Sequence, residues 1–204
     1  MIKQIIVVFV FLVFFSCKSL PDDTDLNKKI TLCIEKSSTE YAEGLFNIYE
    51  YYTVIEQILF KEKFLNGKSK MSYKKLIQDL HMAPKMDEKY LQLYKQISDK
   101  LKYPYKLVNP GVLQSPFNCV RFFLKTKGFE SNTYYSNYYT SLNKLYKSGL
   151  VDDLNLNINL IENTPKEKLS NIIYKAPILA VFYENLEYYI EENFGLVGND
   201  IIKN

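Results

Sequence analysis

Apolar residues recur three and four positions apart through most of this chain, the period of one face of an α-helix. Leu45, Ile48, Tyr52, Ile55 and Leu59 line one such face, and Tyr90, Leu93, Tyr94, Ile97 and Leu101 line another. Only 7 Gly and 7 Pro punctuate 204 residues, so the breaks between helices can be placed individually. The spacing predicts helices over 26–37, from a Thr39 cap to Asn66-Gly67, from Ser72 to His81, and from Pro84 to Leu101. It predicts further helices over Phe117–Lys127 and Ser131–Ser148, closed by Gly128 and Gly149. Two more follow the Thr164-Pro165-Lys166-Glu167 start signal, separated by Pro177. The expected fold class is mainly α: a single helical domain of about seven helices over residues 26–204. One stretch departs from this period. In Asp153–Leu160 the apolar Leu154, Leu156, Ile158 and Leu160 alternate with Asn155, Asn157 and Asn159, which predicts a half-buried strand. A lone strand needs a partner, so a small two-stranded ribbon with residues 105–108 is expected.

The N-terminus carries a different pattern. Lys3 precedes an unbroken apolar run from Ile5 to Phe15, followed by Ser16 and Cys17. A run of that length falls short of the roughly 20 residues a membrane-spanning helix needs, and matches the hydrophobic region of a signal peptide. Phe14-Phe15-Ser16-Cys17 resembles the lipobox of bacterial lipoproteins, with Phe14 where Leu is usual and Phe15 where a small residue is common. The resemblance implies cleavage before a diacylated Cys17. Residues 1–16 are then the signal peptide and 17–25 a lipid-anchored tether of polar residues, whose reach from the bilayer is at most about 25–30 Å. Lys18 in place of Asp after the anchor implies a cell-envelope location at the outer membrane in preference to the inner. A plain secretory signal would want a small residue where Phe15 stands, and Lys18, Asp22 and Asp23 arrive too soon for an uncleaved span.

Charge sets further bounds. The chain has 26 Lys and Arg against 23 Asp and Glu, and loss of Lys3 with the signal brings the two nearer still. That near balance leaves no electrostatic footprint for nucleic acid, so none is expected as a partner. With 18 Tyr, 13 Phe and no Trp, the composition favours a packed helical body over disorder. Export would put Cys33 and Cys119 in an oxidising compartment, where they either form a disulfide or sit as two separately buried thiols.

Motifs with chemistry are few. His81 is the only histidine, which excludes metal sites needing two imidazoles, and no metal or cofactor is expected. Its place at a helix end suits capping or exposure. Glu184, Glu187 and Glu191 form an acidic stripe opposite the apolar face of the last helix and read as solvated. Glu130-Ser131 resembles the Glu-Ser pair of lytic transglycosylases, but the downstream Gly-Leu-Met-Gln-like motif is missing, and Ser131 equally suits a helix cap. Tyr134, Tyr135, Tyr138 and Tyr139 are the densest aromatic cluster and offer an interaction patch, since tyrosine combines rigid area with a polar tip. Tyr135, Tyr138 and Tyr139 also share a helical face with Leu142 and Tyr146, as a core would require. The expected function is a non-catalytic binding module of adaptor or immunity type, held to a membrane through Cys17 and partnered by a protein or another envelope component. The alternative is a cell-wall or glycan-cleaving enzyme with Glu130 as its acid.

Overall fold

A computed structural model describes residues 23–41, 48–101, 115–126, 128, 134–149 and 152–196, with the backbone only of 37–41 and 115. The elements are α1 (Thr24–Tyr41), α2 (Ile48–Lys61), α3 (Lys70–His81), α4 (Glu88–Leu101), α5 (Ser115–Thr126), α6 (Ser136–Ser148) and α7 (Leu154–Asn163). A short 3₁₀ helix (Lys166–Ser170) and α8 (Ile172–Phe194) complete them. The protein is mainly α, a single helical domain, with no strand among the described residues.

The predicted strand at 153–160 is helix α7. Asp153 caps it, its side chain accepting from the Leu156 N–H at 3.0 Å, and Leu160 and Ile161 point into the core. The alternation was only half the pattern, because a helix packed between α3 and α6 can turn Asn157 inward and leave Leu154, Leu156 and Ile158 partly buried. The proposed partner at 105–108 lies outside the described residues. Other boundaries move for identifiable reasons. Thr39 falls inside α1, and α2 ends at Lys61, short of Asn66-Gly67. Ser69, three residues before Ser72, caps α3 through a 3.2 Å bond from the Ser72 N–H. Pro84 lies in the turn before α4 and not in its first turn. The Thr164-Pro165 signal starts only the 3₁₀ helix, and Asn171 caps α8 by accepting from the Ile173 N–H.

Pro177 does not separate two helices; α8 runs through it for 23 residues. The proline removes one backbone donor, a cost that burial outweighs here, since every residue from Ile173 to Tyr183 is buried. α8 is therefore the axis of the fold, with α2, α3, α4, α5 and α7 packed around it. Aromatic rings fill much of the surrounding space: Tyr52, Tyr73, Tyr90, Tyr135, Tyr138, Tyr174 and Phe182 are among the largest fully buried side chains. Some rings meet edge to face, as Tyr51 does with Tyr183 at 5.8 Å between centroids, and others stack, as Tyr135 does with Tyr174 at 6.1 Å. Gly149 and Gly195 end α6 and α8 in left-handed conformations that glycine adopts without strain.

Candidate functional site

The start of α1 is fastened to the core by a carboxylate. Asp23 is 4 % exposed; its Oδ2 accepts from the Tyr135 hydroxyl at 2.5 Å and pairs with the Lys168 ammonium. The Tyr174 hydroxyl lies 3.4 Å from that of Tyr135 and donates to Asn27 Oδ1 at 2.9 Å. Elements distant in sequence thus converge on one residue near the N-terminus: α1, the turn opening α6, the 3₁₀ helix and the first turn of α8. Burial, reinforced by the Asp23 carboxylate, pushes the Tyr135 hydroxyl far above its ordinary pKa, so it stays a neutral donor. Of residues 17–25, expected as a tether, Asp23 is thus buried and Thr24 and Asp25 open α1. Cys17, Glu130 and residues 17–22 of the expected tether lie outside the described residues.

The tyrosine cluster is not a surface patch as a whole. Tyr135 and Tyr138 are fully buried, Tyr138 also donating to the Tyr174 carbonyl at 3.3 Å, while Tyr134 and Tyr139 are partly buried against the core. The shared helical face was the deciding pattern, because i, i+3 spacing brings Tyr135 and Tyr138 onto the stripe that continues through Leu142. Tyr134 alone reaches a surface group, donating to Glu167 Oε2 at 2.9 Å. Cys33 and Cys119 form a disulfide joining α1 to α5.

Two charged features were not legible as such. Lys175, 3 % exposed in the apolar sequence of α8, donates to both oxygens of Glu56 on α2 at 2.8 and 2.7 Å, and Tyr73 of α3 donates to the same carboxylate. A single lysine in the otherwise apolar run from Ile172 to Phe182 was the available signal, since such a cation must find a partner. The second feature corrects the acidic stripe. Glu191 is exposed, but Glu184 is half-buried, and burial pushes its carboxyl up from 4.5 to about 7.

A carboxyl whose folded pKa exceeds its unfolded one binds its proton more tightly in the native state, so stability falls as pH rises from about 4.5 to about 7. The shift corresponds to at most about 3 kcal/mol for this half-buried group. Urea denaturation should therefore show Glu184→Gln more stable than the unmodified chain at pH 8 and nearly equal to it at pH 4.5. Parallel pH profiles for the two proteins would contradict the assignment.

The remaining candidates carry little chemistry. His81 is exposed in the last turn of α3, and no group of three or more His, Cys, Asp or Glu among the described residues could hold a metal. An open cleft of about 350 Å³ between α3 and α4 is lined by Lys63, Lys75, Asp79, Lys89 and Gln92, with Lys75 bound to both oxygens of Asp79 at 2.8 Å. No helix among the described residues is long and apolar enough to cross a membrane. Compared with family models, with curated proteins and with solved structures, the chain matches none.

Proposed function

We propose that the protein is an envelope lipoprotein, cut before Cys17 and held by acyl chains there, whose helical domain acts by binding a protein or another envelope component. The observation that carries this reading is the run from Ile5 to Phe15 ending in Ser16-Cys17. Its support from the fold is the burial of Asp23 six residues later: the intervening chain spans at most about 20–22 Å, so the domain works beside the bilayer. The Cys33–Cys119 disulfide fits an exported chain, because such bonds persist in oxidising compartments. Two or three acyl chains, at about 0.8 kcal/mol per buried CH₂, make attachment effectively permanent. Lys18 after the anchor favours the outer membrane.

A binding role draws on the large apolar side chains left in solvent. Met71, Met82, Met86 and Tyr188 are each between 49 and 73 % exposed. Crosslinking in native membranes is expected to recover one stoichiometric partner with this protein. Recovery of the protein alone, under several crosslinkers and detergents, would contradict the binding role.

A further inference from the structure

Helices α5 and α6 lie side by side and carry four basic residues, Arg121, Lys125, Lys144 and Lys147, with no Asp or Glu in either helix. Phe122 and Lys125 stand about one turn apart on the outer side of α5, opposite buried Phe117, Val120 and Leu124; Lys144 and Lys147 do the same on α6, opposite Tyr138, Leu142 and Leu145. The two outer faces are joined where the Arg121 guanidinium lies 3.7 Å over the ring of Tyr146 and 3.4 Å from Asn143 Oδ1. Phe122 is 54 % exposed and Tyr146 52 %, and none of the three lysines forms an ion pair among the described residues. In a chain whose charges nearly balance overall, this is a one-signed face with aromatic side chains set into it. That combination suits an anionic lipid surface, where basic residues meet headgroups and aromatic rings enter the interface.

Position says which surface is at hand. The turn that opens α6 holds Tyr135, which binds Asp23, so the face begins where the tether from Cys17 ends. Tyr146 is eleven residues farther along, about 16 Å at the rise of an α-helix, within the 20–22 Å that the chain from Cys17 to Asp23 can span. An anchor at one end of the face keeps the bilayer at high effective concentration beside it, which no free acidic protein would match. We infer that the outer face of α5 and α6, built from Arg121, Phe122, Lys125, Lys144, Tyr146 and Lys147, docks on the anionic headgroups of the membrane that holds Cys17. This inference rests on the lipoprotein reading. It fixes the orientation of the domain: the turn around Met82 closes α3, which packs on the opposite side of α7 from α6, and stays away from the lipid.

The chain has no Trp, so a single introduced one is a clean reporter. Full-length protein purified from membranes and carrying Phe122→Trp, Tyr146→Trp or Met82→Trp is placed in phosphatidylethanolamine vesicles with or without phosphatidylglycerol, using brominated lipids as quenchers. The two reporters on the face should be quenched at least twofold more than Met82→Trp in the anionic vesicles. That excess should vanish in neutral vesicles and in the Lys125→Gln, Lys144→Gln, Lys147→Gln triple variant, each basic residue being worth roughly fivefold at such a surface. Equal quenching at Phe122→Trp and Met82→Trp, or an excess that survives the triple substitution, would overturn the proposal, and a face covered by an acidic protein would give the first of these results. The acyl mass on Cys17 is read separately on the same preparation, so loss of the anchor reading and loss of the docking face are distinct outcomes.

Discussion

Lys175→Met is expected to lower stability by about 3–5 kcal/mol, because it leaves the Glu56 carboxylate buried without its cation. Lys68, 4.0 Å from Glu56 and mostly exposed, is placed too far out to replace a bidentate partner. The pair itself is a different quantity from the cost of breaking it, since two charges gave up hydration to meet inside the protein. A Glu56→Leu, Lys175→Met, Tyr73→Phe triple variant should therefore recover most of the loss, being apolar and similar in volume. Chemical denaturation of the single and triple variants tests both statements; a single variant as stable as the unmodified chain would remove the ion pair from the account. Burial, reinforced by the same carboxylate, pushes the Tyr73 hydroxyl well above its ordinary pKa, which keeps it a donor throughout the range in which the fold is studied.

Breaking the bridge between Cys33 and Cys119 is the second large effect. The two residues are 86 apart in sequence, and chain entropy alone assigns a loop of that length about 4–5 kcal/mol, with about 2–5 kcal/mol typical when a native bridge is removed. The Cys33→Ala, Cys119→Ala variant should lose stability in that range and become indifferent to reductant. The unmodified chain should fall to nearly the same level when reduced. A denaturation midpoint that reductant leaves unchanged in the unmodified protein would show that the thiols are not bridged.

The helical architecture was legible because burial on one face writes a period of 3.6 into the sequence. Helix α4 shows this plainly, with Tyr90, Leu93, Tyr94 and Ile97 all buried as their spacing requires. Helix α7 shows the limit of the argument: eight alternating residues satisfy a strand template as well as a helix packed on two sides, and the Asp153 cap, a local signal, was the better guide. Pro177 misled for the opposite reason, since a local rule yielded to burial along the whole of α8. The polar core was legible only in part. Lys175 stands out in an apolar run, but nothing in the sequence pairs it with Glu56 across 119 residues, or Asp23 with Tyr135 across 112. Such partnerships are set by the packing of helices that only the fold brings together. The same reason separates Tyr135 and Tyr138 from the surface patch that their composition suggested.

In the proposed function, what the chain does depends first on where it is held, and that depends on one atom, the sulfur of Cys17. Mass analysis of the N-terminal peptide from protein extracted out of native membranes tests this directly. The expected result is a mature chain that begins at Cys17 and carries a diacylglyceryl group on its sulfur, with residues 1–16 absent. A mature chain beginning at any other residue, or an unmodified Cys17, would contradict it.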